Sequence, residues 1–375
     1  MQFTAENRAF TEALDLVKGA IRPSTIPILS HVCVSAAEGV VTLRGNNLDR
    51  EIEATFPAQV SQSGSAALPG EILSGIVRRL PKGGDCTIAL ADEVAELTCR
   101  KSVYKLRSLP AGDFPAPRKV GDGSAVFTME GQTVRELLRT VAYPAQDEHP
   151  KQYSRGVYLH VHGNQLAATA TDGHRLALIE IDLPPGAADL PPVLIPAATV
   201  KAILDMTAKA EAVTIAATGA NIEVRIPGAR LTSALVDCEY PDYRRVIPKI
   251  NGAAAVFRPA AMTEAIERVA TVYLGRNDPN KMAPTVKLVR TDDGIDLVAG
   301  VAGGERGLES VEAEVNGHAL EVSLVTNYLA EMLKQWPETV DLAIHPSSGA
   351  MGPVVFKAAA KANVTHVIMP TKPTI

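Results

Sequence analysis

One short run of residues has the types that acid–base chemistry uses. Thr171-Asp172-Gly173-His174-Arg175 sets a carboxylate, an imidazole and a guanidinium side by side, groups that can move and hold protons. Such chemistry also needs a nucleophile, a paired carboxylate or a second His at useful spacing, and none accompanies the run. A turn between two strands, with Gly173 relieving the backbone, accounts for the same residues. The eight histidines, His31, His149, His160, His162, His174, His318, His345 and His366, are dispersed. His160 and His162 share one face of a strand but have no Cys partner or third ligand in the sequence, so no metal site is expected. Cys33, Cys86, Cys99 and Cys238 lack CxxC spacing and read as reduced core thiols. No GxGxxG, GxxxxGK[ST] or HExxH pattern is present, so neither a nucleotide loop nor a zinc helix is predicted. No cofactor is called for.

A chain of 375 residues has room for two or three domains. With 46% hydrophobic and 21% charged residues but only seven Phe, eight Tyr and one Trp, the composition is that of a globular protein with a mainly aliphatic core. No apolar run reaches the roughly 18 to 20 residues that span a bilayer. Met1-Gln2-Phe3-Thr4 lacks a signal peptide's basic start, so the expected location is the cytoplasm. A net charge of −5 excludes a surface coated in positive charge, yet it allows a basic inner face beside an acidic outer one.

An internal repeat organises the chain. Leu109-x4-Phe114-Pro115, followed by Arg118-Lys119 and Val120, recurs as Leu235-x4-Tyr240-Pro241, followed by Arg244-Arg245 and Val246. Amphipathic helices recur with it, their apolar residues three and four apart. The first helices of the thirds carry Phe10, Leu14, Val17, Ile21; Val134, Leu137, Leu138, Val141; and Met262, Ile266, Val269, Tyr273. The second helices carry Ile72, Ile76, Leu80; Val200, Ile203, Leu204; and Leu329, Met332, Leu333, Trp336. Between them lie short β-branched or alternating stretches such as Gly156 to Val161 and Asn221 to Ile226. Three similar α+β domains follow, each of two helices packed on antiparallel strands, with boundaries at 1–122, 123–250 and 251–375. Units that can each bury their own core do not need repetition for stability, so the repeat builds a shape. If the units form an arc, a head-to-tail contact between two arcs makes a ring where it closes and a filament where it does not.

Four segments, Arg22-Pro23-Ser24-Thr25-Ile26-Pro27-Ile28-Leu29, Ala170 to Ala177, Tyr240 to Pro248 and Val367-Ile368-Met369-Pro370, together resemble the bacterial DNA sliding clamp, the beta subunit of DNA polymerase III. The resemblance covers essentially the whole chain. It implies a homodimer ring of six domains around duplex DNA, a mechanical and non-catalytic processivity factor for the replicative polymerase. DNA contact would be directed at phosphates and independent of sequence, through Arg22, Arg78, Arg79, Arg135, Arg139, Lys201 and Lys209. Glu71 and Ala197-Ala198 depart from more basic family positions and imply a less positive inner face.

The resemblance also implies a cleft for partner peptides, formed by Tyr153, Ser154, Thr171, Gly173, His174, Arg175, Leu176, Pro241, Arg245, Val246, Tyr328, Val367, Met369, Pro370 and Thr371. Its partners would be the polymerase alpha subunit, the clamp loader, and other polymerases and repair proteins. Ser154 and the ending Thr371-Lys372-Pro373-Thr374-Ile375 are departures expected to make the cleft more polar. The dimer interface would set Tyr104 and Leu106, on an edge strand, against Thr271 and Val272 on the fifth helix, with Glu305 and Glu309 pairing across it. The competing function is a clamp-derived paralogue that acts as an interaction scaffold without forming a ring. Dimerisation and retention on circular DNA discriminate the two.

Overall fold

The computed structural model describes residues 1–81, 83–250, 252–274, 283–301, 303–347 and 351–372. Residue 251, in the second expected linker, and residues 373–375 of the unusual ending lie outside them. The chain folds as two compact units. One comprises Met1–Arg135 with Pro184–Leu235, the other Glu136–Leu183 with Val236–Ile375.

Among the described residues six α-helices occur where the apolar spacing places them: α1 Asn7–Val17, α2 Gly70–Val77, α3 Gly131–Ala142, α4 Ala197–Met206, α5 Pro259–Val269 and α6 Thr326–Leu333. Their apolar stripes are buried, as with Phe10, Leu14 and Val17 on α1 and Met262, Ile266 and Val269 on α5. The second helix is rotated from the expected face. Ile72 is 56% exposed, whereas Leu73, Val77 and the following Leu80 are buried. Two apolar stripes one position apart compete on this helix. The buried one is continued by Leu80, and Gly70, directly after strand Gly64–Pro69, leaves no room for a side chain against Ile21.

In the first unit, a sheet of five strands runs Gln59–Gln62, Gln2–Glu6, Asp85–Ala91, Val94–Cys99, Ser102–Arg107. A sheet of eight strands runs Ala125–Glu130, Ala212–Ala217, Asn221–Ile226, Ala229–Ala234, Arg50–Pro57, Val40–Asn46, His31–Ala37, Gly64–Pro69. The first and second repeats meet within this sheet, where Leu231 pairs with Ile52. Charges buried at that seam are paired: Arg230 lies 3.3 Å from Glu53 and 3.8 Å from both Glu51 and Glu223, as low-dielectric surroundings require.

The second unit repeats the device. Arg175–Asp182 of the second repeat pairs with Lys361–Ile368 of the third, with Leu176 opposite Val367. A four-stranded sheet, Arg306–Glu312, Gly294–Gly300, Thr285–Arg290, Glu321–Val325, completes it. The repeated Leu-x4-aromatic-Pro segment has a structural task in both units, since its aromatic residue anchors the chain to a sheet. Phe114 packs with Cys33 and Ala67 beneath the Arg44 guanidinium, and Tyr240 stacks on Tyr158 with ring centroids 4.2 Å apart.

Candidate functional site

The Thr171 to Arg175 run is a turn between antiparallel strands Gln165–Thr171 and Arg175–Asp182. Gly173 sits at φ +88°, where a Cβ would be strained and would press on Lys151 Nζ. Asp172 Oδ1 accepts the backbone N–H groups of His174 and Arg175 at 2.9 and 3.0 Å, and Thr171 Oγ1 accepts that of Gly173 at 3.0 Å. The carboxylate and the guanidinium are thus structural. Arg175 is buried, donates to Asp172 Oδ2 at 3.0 Å and Glu331 Oε2 at 2.6 Å, and stacks over Tyr328 at 4.4 Å and Tyr143 at 5.2 Å. Burial opposes its charge, but Glu331 and Asp172 outweigh that and raise its pKa. No proton-transfer chemistry follows from a guanidinium so held.

Beside this turn, within the second unit, lies a pocket of about 250 Å³. The structure brings Tyr153, Thr171, Gly173, His174, Arg175, Leu176, Pro241, Val246, Val367 and Met369 to its walls. The position of Met369 is set by its N–H, which donates to His174 O at 2.8 Å and extends the strand pairing to the pocket's edge. Val246 and Met369 remain exposed at the mouth, while Leu176 and Val367 form buried walls. The arrangement is an apolar slot with polar groups at its rim, which suits a short peptide with apolar anchors.

Other expected members stand elsewhere. Ser154 is wholly buried with no hydrogen-bond partner for its Oγ among the described residues, so it does not make the pocket surface more polar. Arg245 points into solvent and pairs with Asp242 at 3.0 Å. Tyr328 reaches the site through His174 and Arg175, its ring 6.1 Å from the imidazole. Pro370 and Thr371 follow the wall strand, and the Thr371 N–H donates to Ser323 O at 2.8 Å. Lys151, Asp242 and Tyr243 line the pocket as well and were missed. The signal for two of them lay inside the Tyr-Pro-Asp-Tyr segment already singled out. The Tyr243 hydroxyl is 3.0 Å from His160 Nε2, and burial pushes its pKa up to about 12 and lowers that of His160.

The seven basic candidates divide by what holds them. Arg78 is ion-paired with Asp15, and Arg79 donates to Gly75 O at 2.8 Å. Both line, with Lys18 and Glu71, a pocket between α1 and α2. Arg135 is half-buried and donates to Thr207 O, at the C-cap of α4, and to Ala210 O in the turn that follows. There it complements the helix dipole, and Gly131 approaches so closely that a Cβ would overlap Ala210 O. Arg22, Arg139, Lys201 and Lys209 are exposed.

The interface candidates also separate. Tyr104 is 38% exposed on Ser102–Arg107, an edge strand as expected, but Leu106 is 6% exposed and belongs to its own core. The alternation of the strand puts both on one face, and that face is covered only at the Leu106 end. Thr271 and Val272 lie in the 3-10 turn Ala270–Tyr273 that follows α5, not in the helix itself. Glu309 is paired within the chain, 2.9 Å from Arg268, while Glu305 is exposed. Val103, Leu274 and Leu308 are exposed apolar residues that the sequence reading passed over.

Comparison with known proteins decides the family. The chain matches the N-terminal, central and C-terminal domains of the DNA polymerase III beta subunit over residues 1–118, 128–242 and 244–372. It is 30% identical to the beta sliding clamps of Caulobacter vibrioides and Synechococcus elongatus, covering 99% of this chain and 100% and 99% of theirs. The chain belongs to the DNA polymerase III beta subunit family. Its fold matches the sliding clamp of Bartonella birtlesii, solved with griselimycin bound, at TM-score 0.91 and 27% identity, covering 99% of this chain and 100% of that one. The Caulobacter crescentus polymerase sliding clamp matches at TM-score 0.87 and 28% identity, with 99% and 100% coverage.

The α+β clamp fold and a non-catalytic role as sliding clamp for a DNA polymerase follow, and the scaffold alternative is not favoured. No described helix is long and apolar enough to cross a membrane. Among the described residues no group of three or more His, Cys, Asp or Glu is placed to hold a metal ion.

Proposed function

We propose that two copies of this chain, each of three domains at 1–122, 123–250 and 251–375, join head to tail into a ring that encloses duplex DNA in the cytoplasm. The slot beside the Thr171 to Arg175 turn receives short peptides of the polymerase alpha subunit, the clamp loader, and other polymerases and repair proteins. The ring carries no bond-making chemistry. An ATP-driven loader opens one interface, and the closed ring then tethers whatever occupies the slot. Affinity for any single DNA site can stay low, because escape requires the ring to open.

The observation that supports this reading most strongly is the slot itself. Exposed apolar side chains, Val246 and Met369, stand at the mouth of a preformed pocket whose turn is fixed by the Asp172 and Arg175 network. Preformed walls lower the ordering cost of binding a flexible peptide. The edge strand Ser102–Arg107 with exposed Tyr104 and Val103, and exposed Leu274 and Leu308 in the third repeat, are the surfaces proposed to meet between subunits. Titration with a fluorescent peptide copied from the polymerase alpha subunit tests the slot. Saturable binding that Met369→Asp abolishes supports the reading, and binding indifferent to that change removes the slot from it.

A further inference from the structure

The 3-10 turn Tyr243–Val246 supplies two parts of the slot, Val246 at its mouth and Tyr243, whose ring packs with the walls Leu176 and Val367. Side chains tie this turn to the sheet. Arg244 donates to Glu180 Oε1 at 2.6 Å and to the Tyr243 hydroxyl oxygen. That hydroxyl lies 3.0 Å from Nε2 of His160, on the strand Gly156–His162. His160 Nδ1 is 3.2 Å from Val161 O, which can only accept. Nδ1 therefore carries the imidazole proton, and Nε2 accepts from Tyr243. Glu180, Arg244, Tyr243 and His160 form one directed chain within the second unit, complete only while the imidazole is neutral.

We propose that neutral His160 is a positioning residue of the peptide slot, acting through Tyr243, and that peptide affinity falls as this imidazole takes up a proton. Protonation turns Nε2 from acceptor to donor. The Tyr243 oxygen then meets two donors, His160 and Arg244, and its own proton loses its acceptor, so the turn and Val246 are no longer fixed. The groups facing His160 are Tyr158 and His162 on its own strand, Tyr243 and Arg244 on the turn, and Glu180 on the strand Arg175–Asp182. Burial, the largest influence, acts with Arg244 and His162 against protonation and outweighs the Val161 carbonyl and Glu180, so His160 titrates below its ordinary value. The remaining charges of this segment, Arg245 and Asp242, pair with each other in solvent. The chain of bonds accompanies the slot. In the first unit the repeat sets Arg118 where Arg244 stands but Pro117 where Tyr243 does, and Arg118 donates to Asn221 Oδ1 and Leu48 O. The role of His160 rests on the reading of the slot as a peptide site.

The test titrates the full chain with the fluorescent peptide of the polymerase alpha subunit at pH 7 and pH 5, for the wild type, His160→Gln and His160→Leu. Wild-type affinity should fall about threefold to tenfold between the two, the weight of one net hydrogen bond. Gln keeps an acceptor for Tyr243 and does not titrate, so His160→Gln should bind within about twofold of the wild type at pH 7 and escape that fall. Leu offers no acceptor, so His160→Leu should already bind about threefold to tenfold more weakly at pH 7. His162, His174 and His366 are common to all three proteins, so the difference between them isolates His160. A fall as steep in His160→Gln as in the wild type, or wild-type affinity in His160→Leu, overturns the inference and leaves the slot standing. Absence of saturable binding by the wild type at pH 7 defeats the slot reading and this role with it.

Discussion

His366 stands behind the slot wall, one residue before Val367, and it should make this protein acid-sensitive in a measurable way. Its ring is fully buried, packed 5.2 Å from the Trp336 ring and 5.5 Å from Tyr143. Its Nδ1 is 3.0 Å from the Tyr143 hydroxyl, and its Nε2 has no partner among the described residues. Burial lowers the pKa to about 3, so the imidazole stays neutral in the native state while the unfolded chain titrates near 6.5. A base with a depressed native pKa contributes full stability above 6.5 and loses it as pH falls from there toward about 3.

Each unit of that window costs about 1.4 kcal/mol, so this one group removes about 2 kcal/mol between pH 7 and pH 5. The size is set by the distance from 6.5 to the assay pH, because the native value lies well below 5. His366→Gln keeps a polar group for Tyr143 and cannot titrate. Urea unfolding of both proteins at pH 7 and pH 5, followed by the fluorescence of Trp336, the chain's single Trp, reads the difference. The wild type should lose about 2 kcal/mol more than the variant across that interval. Equal losses would refute the assignment of a buried neutral imidazole.

Other consequences are as direct. Arg175→Ala leaves Asp172 buried without its partner and should destabilise the second unit by about 3 to 5 kcal/mol in the same unfolding assay, with peptide binding lost as the turn relaxes. Gly173→Ala places a side chain at φ +88° against Lys151, and should cost about 1 kcal/mol or more of stability and weaken peptide affinity. Met369→Ala removes an exposed anchor, so peptide affinity should fall roughly tenfold while urea unfolding barely changes. Leu106→Ala should lower the stability of the first unit by about 2 to 5 kcal/mol, whereas Tyr104→Ala should act on subunit association, read by sedimentation.

The helices and several strands were legible because apolar period and turn residues agree along much of the chain, as in α1 and in the strand Gly156–His162, whereas the pairing of strands across repeats was not. The second helix shows the limit. Ile72-Ile76 and Leu73-Val77 are equally good stripes on paper, and only packing against Ile21 and the phase of the preceding strand choose between them. Of the cleft, the turn residues and the apolar walls could be named from motifs, but the burial of Ser154 and the outward direction of Arg245 depend on the path of the chain through three dimensions. Basic side chains were the least legible group. Nothing in the sequence distinguishes Arg135, spent on carbonyls at and after the C-cap of α4, from Arg139 one turn later, which is exposed. Charge type is local, whereas what a charge is used for depends on distant backbone.

A closed ring holds DNA topologically, and one paired measurement tests for that. The solution mass is determined together with retention on nicked circular DNA before and after linearisation, with the cognate clamp loader present. A mass near twice 39.7 kDa, stable retention on circles and release once the DNA has ends are the results expected of a closed ring. A persistent monomer that an active loader cannot place on circular DNA would contradict it.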